Sequence, residues 1–191
     1  MNNQNVKYSV IYADPPWEFP DSGGIKNSRG LAKKFYPTMK TEDICSIPVK
    51  EWVEDNSMLF IWASFRRLQE VFKVIEAWGF EYYGIGFLWA KTNKSSGFHF
   101  GMGYYTRHNT EPCFIGIRGK PKPLNRDVRE LIVSQVEEHS KKPDEIRDRI
   151  SRIYDGRKLE MFARKKVNGW DVWGDEIEPQ LTERREITMK I

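Results

Sequence analysis

The chain has 191 residues, 39% of them hydrophobic and 14% aromatic, with 31 Lys and Arg against 27 Asp and Glu, a net charge of +4. That length and apolar content fit one domain around one core and exclude wholesale disorder. No apolar run is long enough to span a bilayer, the start MNNQNVKY lacks the apolar centre of a secretory signal, and the two cysteines, Cys45 and Cys113, make neither a disulfide framework nor a zinc site. The expectation is a single cytoplasmic domain over 1–191 with no membrane segment and no metal, whose slight basic excess permits a polyanionic partner without requiring one.

YSVIYA (8–13) reads as a buried strand that ends at Asp14. The longest stretch without apolar periodicity, 20–35, follows. TEDICSIPV then predicts a short helix with Thr41 as N-cap, ended before Pro48. SMLFIWA (57–63) is a second buried strand. Leu68, Val71, Phe72, Ile75 and Trp78 share helical spacing, so an amphipathic helix over 65–78 is expected, closed by Gly79 in a left-handed conformation. FEYYGIGFLWAK, EPCFIGIR and ELIVSQV predict three further strands. Pro143 fits the first position of a helix whose face carries Ile146, Ile150 and Ile153. RKLEMFA and GWDVWG complete the series as strands. Trp62, Trp78 and Trp89 fall inside these patterns and read as core. Alternation of apolar strands with helices is the pattern of an α/β fold, a mostly parallel sheet with helices on both faces. Ligands of such sheets bind beyond the carboxyl ends of the strands, where Asp14, Pro15, Pro16 and Trp17 fall.

A strand leading directly into Asp-Pro-Pro-Trp suits methyl transfer to the exocyclic amine of a base. That nitrogen's lone pair is delocalised into the ring, so acceptors on its two N–H groups are needed to make it nucleophilic. The Asp14 carboxylate can accept one and the Pro15 carbonyl the other, with proline fixing the direction of that carbonyl. Trp17 offers a flat face for a base taken out of its stack, worth roughly 1–3 kcal/mol. Against this stands the plainer reading of a capped turn with a core Trp; the buried strand immediately before it favours the functional one.

ADPPW, YPTM (36–39), LFIWA (59–63), AWGF (77–80), WAKTN (89–93), GMGYYTRHNTEPCFIGIRGKP (101–121), HSKKPDEI (139–146), LEMFAR (159–164) and GWDVWGDE (169–176) together resemble the MT-A70 family of adenine-N6 methyltransferases. The resemblance implies a Rossmann-like methyltransferase fold that uses S-adenosylmethionine, in the permuted order with the catalytic motif ahead of the cofactor motif. By the same resemblance Asp14 to Trp17 form the catalytic loop, Arg107, His108 and Glu111 lie in a segment beside the target base, and Tyr36 falls in a substrate motif. Lys142 matches the lysine that meets the methionine end of the cofactor, and Phe162 and Arg164 match strand-end residues at its adenosine. Asp175 and Glu176 stand where relatives carry Asn followed by Gln or Glu, and carboxylates there can accept from ribose hydroxyls. FARKK replaces the glycine-rich loop common in other methyltransferases. Glu160 reads as structural.

Lys26, Arg29, Lys33 and Lys34, in the long loop, are expected to touch phosphates, with the loop and FHFGMGYYTRHN closing over the target nucleotide. The leading expectation is an adenine-N6 methyltransferase acting on nucleic acid, DNA ahead of RNA, of bacterial or phage type, as a monomer or homodimer. An RNA enzyme, a catalytically silent binding subunit and a small-molecule amine methyltransferase are the alternatives.

Overall fold

A computed structural model of the chain describes residues 7–18, 38–95, 97–137 and 141–174. Tyr36, Lys26, Arg29, Lys33, Lys34, Asp175 and Glu176, and with them the expected loop over 20–35, lie outside the described residues.

Seven strands form one sheet in the order β5-β3-β4-β2-β1-β6-β7, comprising β1 (Tyr8–Ala13), β2 (Val53–Trp62), β3 (Glu81–Thr92), β4 (Thr110–Arg118), β5 (Leu131–Gln135), β6 (Lys158–Met161) and β7 (Asp171–Trp173). The ladders of β1 with β2 and β6, β3 with β5, and β6 with β7 are parallel; β4 runs against both its neighbours. The result is the α/β, Rossmann-like methyltransferase fold expected, with one reversed strand in a mostly parallel sheet.

Alternation along β1 divides the core. Ile11 and Ala13 pack with Leu59 and Ile61 beneath α1 (Thr41–Ser46), α2 (Val49–Trp52) and α3 (Leu68–Ala77). Val10 and Tyr12 pack with Phe60, Trp62 and Trp89 beneath α4 (Glu145–Ile153), through Ile146 and Ile150. Helices therefore cover both faces. The three tryptophans read as core are buried, and each indole N–H is satisfied: Trp62 by the Tyr12 hydroxyl (2.8 Å), Trp78 by the Ile44 carbonyl (2.9 Å) and Trp89 by the Ser134 carbonyl (3.1 Å). Cys113 is buried and Cys45 half-buried, both as free thiols. Among the described residues no helix is long and apolar enough to cross a membrane.

Several boundaries differ from expectation for local reasons. Thr41 is the first residue of α1 rather than its cap; Lys40 holds the cap position without a side-chain bond. Pro48, lacking an N–H, separates α1 from a second short helix that periodicity does not reveal. β2 starts at Val53, not Ser57, because Tyr8 pairs with Val53 across a register shift while Glu54, Asp55 and Asn56 stay exposed. A 3-10 turn, Phe65–Arg67, precedes α3, and the fully buried face of that helix is Val71, Val74 and Ile75, with Leu68 and Phe72 partly exposed. Gly79 takes the expected left-handed conformation, φ +82°. α4 begins at Glu145, two residues after Pro143, whose carbonyl accepts the N–H of Ile146 at 3.2 Å.

Candidate active site

Parallel register brings the carboxyl ends of four strands to one edge: Ala13 lies beside Ile61 and Met161, and Met161 beside Trp173. Because β4 is reversed, its beginning reaches this same edge, with Cys113 beside Trp62 and Glu111 beside Trp89. Asp14 leaves the edge directly after Ala13.

Four charges of alternating sign meet there. The Lys142 ammonium lies 2.8 Å from Asp14 Oδ2 and 3.3 Å from Glu111 Oε1, and the Lys91 ammonium lies 2.6 Å from Glu111 Oε2. Lys142 also sits over the Trp62 ring, 5.6 Å from its centroid. The Lys142 side chain is only 9% exposed, whereas Asp14 keeps 30% of its side chain open to solvent. Asp14 is therefore the more open partner of this pair and can accept a further hydrogen-bond donor.

The environment separates the two carboxyls. Burial pushes the Asp14 carboxyl up; the Lys142 ammonium pulls it back and Glu111 pushes it up again, leaving it above the usual carboxylate range. Burial also acts to raise Glu111, but Lys142 and Lys91 together outweigh it and hold this carboxyl below its usual value. Burial disfavours a charged Lys142, yet Asp14 and Glu111 keep its pKa well above that of an ordinary lysine. One ammonium thus holds both carboxyls, and their surroundings shift Asp14 up and Glu111 down.

The Asp-Pro-Pro-Trp turn is clamped by its own backbone. The Trp17 N–H donates to the Pro15 carbonyl (2.9 Å), the Met39 N–H to the Pro16 carbonyl (2.7 Å), and the Glu18 N–H to the Met39 carbonyl (2.9 Å). The Pro15 carbonyl, with two lone pairs, retains one for a further donor. Trp17 is 7% exposed and its indole N–H donates to the Trp62 carbonyl at 2.9 Å, so the ring anchors the turn to the end of β2 and presents little free face.

On the neighbouring strand, β6 is followed by Phe162 at φ +60°, a left-handed conformation that a non-glycine residue adopts only when its surroundings impose it. Its ring meets Trp173 edge-on at 5.2 Å, and the Ala163 N–H donates to the Trp173 carbonyl at 3.1 Å. Gly174 follows so closely that an added Cβ would stand 2.6 Å from the Ala163 carbonyl oxygen. Arg164 is exposed, and its charge reaches Asp14.

Arg107 and His108 sit on the exposed loop between β3 and β4. Arg107 lies over the Phe100 ring at 4.9 Å and donates to the Gly103 carbonyl at 3.2 Å. Asp14, Glu111 and Lys142 are thus brought into direct contact, whereas Arg107 and His108 join the site only through their loop. Two participants escaped the sequence reading. Lys91 shares a strand face with Trp89, over whose ring it lies at 4.7 Å, and that alternation in WAK was its only signal. The Arg147 guanidinium grips both oxygens of Glu160, at 2.8 and 2.7 Å, and ties the head of α4, next to Lys142, to β6; this gives Glu160 its structural role. Nothing in the sequence pairs those two positions.

A model of the MT-A70 family matches residues 8–176, from the first residue of β1 to past the end of β7. The chain belongs to the MT-A70 family of methyltransferases. It is 34% identical over 188 residues to the type II methyltransferase M.MunI of a Mycoplasma species, covering 90% of this chain and 78% of that one. It is 30% identical over 164 residues to the human N(6)-adenosine-methyltransferase catalytic subunit METTL3, covering 83% of this chain and 26% of that one. The Drosophila melanogaster N(6)-adenosine-methyltransferase MT-A70-like protein is 31% identical over 162 residues, 83% of this chain and 24% of that one. This chain therefore spans most of the length of the Mycoplasma relative and about a quarter of the two animal ones. The MT-A70 match contains the whole Asp14, Glu111 and Lys142 cluster and both halves of the sheet edge that carries it.

Proposed function

We propose that this protein transfers a methyl group from S-adenosylmethionine to N6 of adenine in nucleic acid, with DNA preferred to RNA. The observation that carries this reading is the Asp14 carboxylate. It stands at the end of a central strand, a third open to solvent, held on its buried side by Lys142 and next to a proline carbonyl with an unused lone pair.

The residues fit the donor. When bound, S-adenosylmethionine supplies a methyl group on a positively charged sulfur, open to in-line attack. Lys142 would meet its carboxylate, and Phe162, Arg164, Asp175 and Glu176 would hold its adenosine, next to the close approach of Gly174 to Ala163. The catalytic turn on the first strand, ahead of Lys142 and of the residues that follow β6, supports the permuted arrangement.

The base amine donates one N–H to Asp14 and one to Pro15, which localises its lone pair on nitrogen. Both acceptors are fixed before substrate arrives, Asp14 by Lys142 and Pro15 by the clamped turn, so little reorganisation is required during reaction. The methylated nitrogen is acidic and gives up its proton readily, so Asp14 serves as an ionised acceptor and no stronger base is required. Arg107, His108 and Tyr36 are assigned to the nucleotide, and Lys26, Arg29, Lys33 and Lys34 to phosphates.

Preference for DNA rests on the 34% identity, over 90% of this chain, to a type II methyltransferase. RNA is the second reading, favoured by the N(6)-adenosine relatives. The test is to incubate the purified protein with S-adenosylmethionine and equal amounts of DNA and RNA, digest both, and identify methylated nucleosides by mass spectrometry. N6-methyladenine from DNA is expected. The same product from RNA alone would transfer the assignment to RNA, and none from either, with cofactor bound, would make the chain a silent subunit.

A further inference from the structure

From Tyr82 to Thr110 the sequence contains no Asp or Glu, while Lys91, Lys94, His99, Arg107 and His108 fall within it. The loop joining β3 to β4 occupies most of this stretch and displays Phe98, Phe100, Met102, Tyr104 and Tyr105 on its surface, from 63% exposed at Phe98 to 93% at Tyr105. Five large apolar side chains in eight residues form a patch of the kind that soluble proteins keep for a partner.

The loop is built to hold them outward. Its base closes through the Phe98 bridge to Thr92 and through bonds of the His99 N–H to the Lys91 carbonyl and the Lys91 N–H to the Asn109 carbonyl, both 2.8 Å. Its two limbs touch: a Cβ on Gly101 would stand 1.9 Å from the His108 carbonyl oxygen, and one on Gly103 1.9 Å from that of Thr106. With the inside filled by backbone, the rings lie on the outside of the loop. Tyr104 and Tyr105 lie edge to face at 4.9 Å, and the Arg107 guanidinium covers Phe100.

Position and charge select the occupant. The stem pairs Ala90 with Thr110 and Trp89 with Glu111, so the loop springs from the strand edge that carries Asp14, one residue from a side chain bonded to Lys142. A second copy docked on this loop about a two-fold axis would set its cations against themselves. A polyanion with flat, partly unstacked groups suits both the charge and the rings. An adenine drawn out of its strand leaves neighbours that have lost stacking partners, and aromatic faces replace them.

We propose that the loop from Phe98 to Arg107 is a stacking platform for unpaired bases flanking the target adenine, and that the strand is single or locally opened at that point. This rests on the nucleic-acid reading given above, and the test separates the two. The binding of a short fluorescent single strand with one adenine, made as DNA and as RNA, is measured by anisotropy. It is compared with the same strand in which the bases beside the adenine are replaced by abasic units, leaving the phosphate charge unchanged. The full chain should bind the intact strand tighter, by about tenfold or more. Phe100→Ala combined with Tyr105→Ala should remove that difference, whereas Tyr83→Ala, an exposed tyrosine at the far end of β3, should keep it.

Equal binding of intact and abasic strands by the wild-type chain overturns the proposal. So does unchanged binding in the double variant, and sedimentation showing that the variant alters only self-association would assign the loop to a second copy instead. A wild-type chain that binds no strand also overturns it. Methyl transfer is read separately by mass spectrometry, so loss of this inference leaves that reading to stand or fall alone.

Discussion

The Lys142 ammonium lies 2.8 Å from the carboxylate of Asp14, across 128 positions of sequence, and joins the segment before α4 to the turn after β1. Asp14 thereby has a fixed orientation before any substrate arrives, and Lys142 neutralises both it and Glu111. Substituting Lys142→Met leaves two carboxylates facing each other without their shared cation. Urea unfolding should show a loss of about 1–3 kcal/mol, below the full cost of a broken buried pair because Asp14 is partly solvated. The companion Glu111→Gln, which removes one of the two charges, should recover part of that loss.

Asp14 has to be ionised to accept an N–H, and its pKa lies above the usual carboxylate value. The acid limb of kcat/KM, which reports the free enzyme, should therefore fall at a higher pH than an unperturbed aspartate gives. Lys142 lowers the Asp14 pKa, so Lys142→Gln should move that limb to higher pH still. Glu111 has a lowered pKa, so its contribution to stability is present above its unfolded value and disappears only as pH drops through the lower, folded one. A limb at the ordinary aspartate value, unmoved by Lys142→Gln, would remove Asp14 from the role given to it.

Trp17→Phe keeps an aromatic ring and deletes the indole N–H, leaving the Trp62 carbonyl without that donor in a buried place. If anchoring is the ring's task, thermal or urea unfolding should show a cost of about 1–2 kcal/mol, and kcat should fall while KM for nucleic acid changes little. A rise in KM with kcat and stability intact would instead support stacking on the base.

Gly174→Ala forces a methyl group to within 2.6 Å of the Ala163 carbonyl oxygen, a backbone atom that cannot swing aside. The strain should cost about 1–3 kcal/mol of stability. Calorimetric titration should show weaker S-adenosylmethionine binding than in the wild-type chain. Unchanged affinity would place the cofactor away from the junction of β6 and β7.

Glu160→Gln weakens the two-point grip of Arg147 and frees the head of α4 from β6. A stability loss of about 1–3 kcal/mol is expected, since both side chains are largely buried. Because Lys142 precedes that helix, cofactor affinity should fall in parallel, which titration of the folded variant below its melting range would read.

By itself the sequence determined every strand that carries the site, the family, and the residues at the strand ends. Apolar runs of strand length and the fixed backbone of Asp-Pro-Pro-Trp are local properties, legible one segment at a time. It also gave the core tryptophans, since Trp62, Trp78 and Trp89 fall on positions that periodicity assigns to the interior. Tertiary structure alone decided that β4 runs backwards, and hence that Glu111, at the start of a strand, shares the Lys142 ammonium with Asp14, at the end of another. It alone supplied Lys91 to Glu111, Arg147 to Glu160 and the Trp62 carbonyl to Trp17, and it set Phe162 in a left-handed conformation beside Trp173. The reason is the same in each case. Hydrogen bonds and ion pairs across a sheet depend on register between distant segments, and register is set by how two whole faces pack, which no single stretch of residues encodes.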